Sequence, residues 1–516
     1  MIVKTFCATC IGIEAVTVAV EADISPGIGI HLVGLPDVAV RESLLRVTTA
    51  LLSYGFRIPG RRIVLNLAPA DLRKEGSSYD LAIAISLLAA SEQAVLPRCG
   101  EFILLGELAL DGRIRRCRGV LPIASHAIEC GFGGCIVPAE DAPQAADLKG
   151  LTLYGVSTLA DVLDILGGQR DVSHLRVTAE GLSRSHKEQS SGPPPIDFME
   201  VKGQKAARRG MEIAAAGGHN LILIGPPGSG KSLMASCLPS ILPPMGREES
   251  IETSKIYSVA GVDTGSIGLM TRRPFRAPHH SASLVALIGG GARISPGEIS
   301  LAHNGVLYLD EMVQFGRSSL DALRQPVEDG HVTISRARYR CTFPSSFMLI
   351  ASMNPCPCGY RGDGTGRCQC TPSQVEKYMG KVSGPMMDRI DMHIFVESVP
   401  ATDLVKGGDR ECSADIAARV LEARRIQQKR FEGTGIFTNA QMNATMIRKI
   451  CKLGSSETDF LEAAIVRLNL SARAFSRILK LSRTIADLAA SPEIGLQHLA
   501  EAFQYRSLDR KSLVDL

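Results

Sequence analysis

Apolar residues in the first 168 positions fall into short runs separated by Gly, Pro and charged residues. Three of them, Ile63 to Leu67, Phe102 to Leu105 and Cys135 to Val137, read as buried strands, while Tyr79 to Ala90 stays apolar long enough for a helix. The mixture predicts a compact α/β unit. Leu81 to Ala90 is the longest apolar run and reaches only about half of a membrane span, so it reads as a buried helix and no membrane segment is expected.

The pattern breaks at Ser183 to Pro195 (SRSHKEQSSGPPP), where Ser, Gly, Pro and charge displace apolar residues as they do in linkers. Beyond it, Lys202 to Ala215 predicts a helix, Asn220 to Ile224 a strand and Lys231 to Leu238 the next helix, a βα unit around a Gly-rich turn. The α/β pattern continues to about Pro400. From Ser413 onward helical spacing dominates, as in Ile416, Val420 and Ala423, or Ile478, Leu481 and Ile485. The expected organisation is an α/β domain over 1–168, a linker over 169–196, an α/β core over 197–400 and a helical lid over 401–516.

Composition changes this picture little. A chain of 516 residues has room for about three domains. A net charge of +4 permits a nucleic-acid partner without arguing for one, so any basic surface must be local. Fourteen Cys are too dilute for a disulfide scaffold, and the start, MIVKTFCATC, lacks the regions of a signal peptide, which predicts a reducing cytoplasm. Cys7 and Cys10 lack a partner pair and are expected to pack as small apolar side chains.

Candidate chemistry begins at Gly225-Pro226-Pro227-Gly228-Ser229-Gly230-Lys231-Ser232, which matches G-x-x-x-x-G-K-[ST] between a strand and a helix. In such a loop the backbone N–H groups cradle phosphate, Lys231 neutralises the β- and γ-phosphates of ATP, and the Ser232 hydroxyl can ligate Mg²⁺. A chance Gly-rich turn is the alternative. Against it stands Val306-Leu-Tyr-Leu-Asp310-Glu311, an apolar strand ending in two carboxylates. Asp310 would hold Mg²⁺, and Glu311 would act as the general base for the attacking water.

A third apolar strand, Phe347 to Ser352, leads to Asn354, either a polar sensor of the γ-phosphate or a turn Asn before Pro355. Arg389 stands between Asp388 and Asp391, where it could be a finger reaching a neighbouring subunit's γ-phosphate or one half of a surface ion pair. Val332 to Ser335 and Tyr339 to Phe343 can form a hairpin whose tip carries Arg336 and Arg338 near Arg340, suited to DNA phosphates; a solvated turn is the alternative. The segment Arg273 to Arg293, with Arg276, His279 and His280, is a second candidate channel element, with a structural role for the paired His as the alternative. Cys356, Cys358, Cys368 and Cys370 form a C-x-C, nine residues, C-x-C cluster that could enclose a tetrahedral Zn²⁺, with unligated loop thiols as the alternative.

The runs Asp197 to Gln204 (DFMEVKGQ), the phosphate loop, Arg273 to Ser283 (RPFRAPHHSAS), Asn354 to Gly359 (NPCPCG) and Ser383 to Asp391 together resemble the Mg-chelatase-like AAA+ ATPases of the YifB/ComM group. The resemblance covers nearly the whole chain. It implies an N-terminal Lon-protease-like α/β domain of the ribosomal S5 domain 2-like type, a P-loop AAA+ α/β core and a C-terminal helical lid. It further implies a hexameric ring using ATP and Mg²⁺ at subunit interfaces, with Arg389 as the trans-acting finger and Arg473 as a second phosphate sensor on the lid. ComM-type members drive DNA branch migration, which makes DNA the implied substrate.

Two other classes of function stay in view. A chelatase-like motor would need partner subunits that one chain cannot reveal. A protease is suggested by Lys74-Glu-Gly-Ser77-Ser78, which resembles the segment of the Lon nucleophile with Ser78 at its position. A serine needs a base, and where Lon places its lysine this sequence has Leu121. The N-terminal domain is therefore expected to be a structural or regulatory collar.

Overall fold

The computed structural model describes residues 2–180, 196–262, 268–291, 294–336, 339–364, 366–398, 411–468 and 470–506. The chain opens on two long strands, β1 (Val3–Ile11) and β2 (Glu14–Ser25), paired antiparallel from Val3↔Ala22 to Ile11↔Glu14. Period-2 burial along β1 explains the pairing, since Val3, Thr5 and Cys7 face inward while Lys4 faces out. Neither strand is among the elements the apolar runs predict, because alternating strands contain no long run.

Five further strands complete this sheet: β3 (Gly29–Val33), β4 (Arg62–Ala68), β5 (Phe102–Leu104), β6 (Gly134–Pro138) and β7 (Thr152–Val156), in the order β3-β4-β2-β1-β5-β6-β7. Helices α1 (Val38–Ser53), α2 (Asp80–Ala90) and α3 (Val120–Glu129) cover it, and every residue from Asp80 to Leu88 is buried, as expected of an apolar helix with no polar face. Arg176 and Val177, within the expected linker, instead continue the sheet: Tyr154 bridges Arg176, and the Val177 N–H bonds the Leu153 carbonyl. They cover an edge that would otherwise expose unpaired backbone. Residues 181–195 lie outside the described residues.

Helix α4 (Lys205–Gly217) leads into a second sheet of five parallel strands: β8 (Leu221–Ile224), β9 (Phe275–Arg276), β10 (Val306–Leu309), β11 (Met348–Met353) and β12 (Met392–Phe395), ordered β9-β10-β11-β8-β12. Parallel sheets are covered on both faces. Leu221 and Leu223 of β8 face a core shared with α4 and the C-terminal helices, while Ile222 and Ile224 face a second core. The C-terminal helices include α5 (Ser413–Arg430) and α6 (Ala472–Leu488), which pack against each other and on α4. No helix among the described residues is long and apolar enough to cross a membrane.

The two sheets are joined through α3. Its N-cap is Gly119, which has no side chain to bind the first free amides, and Ser258 of the second unit supplies both acceptors. The Ser258 carbonyl accepts from the Gly119 N–H at 2.9 Å and its hydroxyl oxygen from the Leu121 N–H at 3.2 Å. Leu121 is therefore a buried residue at a unit junction. Nearby, Lys74 Nζ donates to the Pro69 carbonyl and the Ser77 hydroxyl to Glu107, so the ammonium and hydroxyl flanking Ser78 are engaged elsewhere.

Candidate functional site

The phosphate loop follows β8 directly. Gly225 begins it with an N–H bonded to the Met353 carbonyl of β11, and a Cβ added there would lie 2.2 Å from the Val396 carbonyl oxygen, so no side chain fits. Helix Lys231–Cys237 starts at the end of the loop and turns its free N–H groups toward the phosphate position. Lys231 Nζ donates to the carbonyls of Gly225 (2.7 Å) and Pro226 (2.8 Å) and to Asn354 Oδ1 (3.3 Å). Burial lowers its pKa from the ordinary lysine value, while Asp310 and Glu311 act in the opposite direction. The lysine, the loop and Asn354 thus meet at one end of the sheet.

Asp310 leaves β10 at that same end. Its Oδ2 accepts from the Ser232 hydroxyl at 3.0 Å, and its Oδ1 lies 2.8 Å from the Tyr308 hydroxyl and accepts from Ser352 Oγ and the Glu311 N–H. Burial raises its pKa, but these hydrogen bonds outweigh it and hold the carboxylate below the ordinary value. Two oxygen ligands on adjacent corners of a Mg²⁺ octahedron stand roughly 3.0 Å apart, given metal–oxygen distances of about 2.1 Å. The Ser232–Asp310 pair has that separation. These two residues would hold Mg²⁺, whose chemistry there is to neutralise the β- and γ-phosphate oxygens.

Glu311 is exposed and has φ +48°, left-handed for a residue with a side chain. Its N–H is pinned by Ser352 Oγ at 3.1 Å. Backbone held in that region costs on the order of 1–3 kcal/mol and persists where neighbours enforce it, often at active sites. Tyr308 and Ser352, which position the two carboxylates, belong to no sequence motif and are not among the expected site residues. The one signal for them is their place on the strands that end in Asp310 and Asn354.

Arg389 is not brought to this end of the sheet. It precedes β12, whose Met392 pairs with Leu221, the first residue of β8, and the Asp391 N–H bonds the Asn220 carbonyl. Four residues of strand, about 13 Å, separate that level from the phosphate loop. Arg473, in the first turn of α6, lies at the same far end, 4.0 Å from Asp388, and one turn on Arg477 pairs with Asp391 at 3.0 Å. Burial pushes the Asp391 carboxyl up, yet bonding to His219 and the charges of Arg477 and Lys480 bring it to about 2. Arg389, Arg473, Arg477 and Lys480 line one open cleft of 1020 Å³.

The expected hairpin forms from His331–Arg336 and Tyr339–Pro344, paired from His331↔Pro344 to Arg336↔Tyr339. Val332, Ile334, Cys341 and Phe343 bury its base, and Ile13, from the turn between β1 and β2, joins the same core cluster. Arg336 ends the first strand, Arg340 is exposed, and Arg338 lies outside the described residues. Arg276 pairs with Glu298 through two bonds of 2.6 and 2.7 Å, and the rings of His279 and His280 pack at 4.0 Å. Arg293 lies outside the described residues.

The four cysteines Cys356, Cys358, Cys368 and Cys370 gather with all sulfurs within 4.8 Å of one another. Three of the separations are 3.3, 3.6 and 3.7 Å. A tetrahedral Zn²⁺ with Zn–S near 2.3 Å sets its sulfurs about 3.8 Å apart, so the donor set fits that metal. The backbone amide of Tyr360 is the main cause that lowers the Cys358 thiol to about 7, toward the thiolate form that binds metal. The loop abuts the phosphate site: a Cβ at Gly359, φ +88°, would lie 2.8 Å from Pro227 Cδ.

Residues 197–404 match the family model of magnesium chelatase, subunit ChlI, residues 20–141 that of subunit ChlI of Mg-chelatase, and residues 410–506 that of the ChlI C-terminal region. The chain is 43% identical to the uncharacterized protein YifB of Escherichia coli over 97% of its length and 96% of that protein's. It is 43% identical, over the same shares, to the competence protein ComM of Haemophilus influenzae. With the YifB of Salmonella typhimurium it shares 42% identity over 97% of this chain and 96% of that one.

Proposed function

The chain belongs to the magnesium-chelatase-like AAA+ ATPases of the YifB/ComM group, and on that footing we propose that it is a ring-forming motor, of hexameric type, that couples ATP hydrolysis to movement of DNA. The observation that carries this reading is the separation of Lys231, Ser232, Asp310 and Asn354 from Arg389 and Arg473, at opposite ends of one parallel sheet. Lys231 and the loop bind the phosphates, Asp310 and Ser232 hold Mg²⁺, Glu311 takes the proton of the attacking water, and Asn354 orients that water. Arg389 and Arg473 cannot serve their own chain's nucleotide across that distance, so a neighbouring subunit's γ-phosphate is their target. The domain limits in this reading are 1–168, 197–400 and 401–516, with Arg176 and Val177 added to the first domain's sheet.

DNA as the substrate is supported by the hairpin, whose base is buried and whose strands carry Arg336 and Arg340, and by the ComM-type resemblance. Charge contacts of this kind move a strand without reading bases. Replacing Arg336 and Arg338 with Ala should leave basal ATPase largely intact and abolish stimulation by DNA. The slope of log affinity against log salt should also become shallower, by about one for each phosphate that the variant no longer neutralises. A variant that moves DNA as well as its parent would make the hairpin a structural turn. Parent protein that neither binds DNA nor is stimulated by it would favour the chelatase-like alternative.

The cysteine loop is proposed to hold one structural Zn²⁺, which would fix the segment after Asn354 against Pro227. Elemental analysis should find about one zinc per chain, lost on combining Cys358→Ser with Cys368→Ser. Metal-free protein purified without chelator would exclude the site.

A further inference from the structure

The guanidinium of Arg389 is occupied within its own chain. Nε donates to the Arg324 carbonyl at 2.9 Å, Nη1 to the Pro385 carbonyl at 2.8 Å, and Nη2 to Glu328 Oε2 at 2.6 Å. Its side chain is only 12% exposed, against 58% for Arg473, which approaches Asp388 at 4.0 Å. These two arginines of the cleft are therefore held differently. One stands out into solvent, and the other is folded back.

An arginine held at all three nitrogens must give up partners before it can reach a phosphate outside its own chain. Two of those partners are neutral carbonyls. Glu328 is the charged one, 44% exposed on the wall of the same cleft. Phosphate and carboxylate compete for the same planar fork of donors, so an arriving γ-phosphate is the group best able to displace Glu328.

Glu328 also occupies a particular place in the chain. It lies on the short helix Arg324–Asp329, which ends at Gly330 and runs directly into His331–Arg336, the first strand of the hairpin. Arg324, whose carbonyl accepts from Arg389, opens that helix and is tied by its own guanidinium to Asp321 and Ser383. One ion pair thus joins the finger to the support of the hairpin.

We propose that Glu328 is a positioning residue that stores Arg389 against the hairpin's supporting helix and hands it over when the neighbouring subunit presents ATP. Through this exchange, the nucleotide state of one subunit reaches the hairpin of the next. The inference rests on the assignment of Arg389 as a finger acting between subunits. Only ion-pair and hydrogen-bond exchange is involved.

The test uses the full-length protein and compares ATP turnover of the parent, Glu328→Gln, Arg389→Ala and the double variant. Amide hydrogen exchange over 324–336 is followed with and without a non-hydrolysable ATP analogue. Removing the charge frees the finger, so Glu328→Gln should raise kcat roughly two- to fivefold, the shift that loss of one partly exposed ion pair supports. KM for ATP should hardly move. In the parent the analogue should change exchange over 324–336, and in Glu328→Gln that response should be lost. The double variant should be as slow as Arg389→Ala, because the gain requires the arginine. Glu328→Asp, which keeps the charge, should return toward the parent and shows that assembly survives at this position. Parent-like or reduced kcat in Glu328→Gln, with Arg389→Ala inactive, would overturn the latch while leaving the finger intact. Full activity in Arg389→Ala would instead overturn the finger itself.

Discussion

Glu311→Gln is expected to bind ATP as the parent does and to hydrolyse it about 10²- to 10⁴-fold more slowly, the range a positioned general base supplies. The substitution leaves the phosphate cradle alone, because Lys231 is held there by Gly225, Pro226 and Asn354. It also leaves the backbone alone, since the left-handed turn at 311 is pinned through its N–H by Ser352. Lys231→Ala should behave in the opposite way, losing nucleotide affinity with the base still in place. Equilibrium binding of a fluorescent ATP analogue beside single-turnover hydrolysis separates the two. Near-normal turnover in Glu311→Gln would remove the assignment of the base.

Arg389→Ala should lower turnover by about 10³-fold or more, the worth of a finger that stabilises charge on the transferring phosphoryl group. The larger consequence concerns mixtures. Arg389 and the phosphate loop lie at opposite ends of β8 and β12, so in the proposed ring an interface would need Lys231 from one subunit and Arg389 from the next. Rings made from Arg389→Ala and Lys231→Ala subunits contain some interfaces with both residues intact, so mixing two inactive proteins should restore part of the activity. Mixed rings that form, as shown by differently tagged subunits, and remain inactive would argue against a finger acting between subunits.

The parts of the fold legible in the sequence are those in which a short apolar run ends in a chemically distinctive residue. The strand before Gly225, the strand before Asp310 and Glu311, and the strand before Asn354 each combine a fully buried core strand with a distinctive glycine or polar residue at its exit, and all three lie within a residue of their expected bounds. The β1–β2 pair is not legible because its apolar residues alternate with polar ones, and its turn at Gly12 carries no strong turn dipeptide. The hairpin is legible as two strands, yet its anchoring by Ile13, more than 300 residues earlier, is a tertiary fact without local trace. Spacing offers Arg389, and only the resemblance to the YifB/ComM group offers Arg473; neither can show that both face one cleft, because that depends on α6 docking beside the start of β12. Glu328 has no motif at all and acquires meaning only through its distance to Arg389.

The most direct test of an ATP-driven motor acting on DNA is the rate of ATP hydrolysis by the parent protein alone and with single-stranded, forked and four-way-junction DNA at fixed salt. Basal hydrolysis that Glu311→Gln abolishes is expected, stimulated several-fold by at least one of these DNA structures, with the stimulation falling as salt rises. Robust hydrolysis that none of the three DNA structures changes at any salt concentration would contradict the DNA assignment while leaving the ATPase standing.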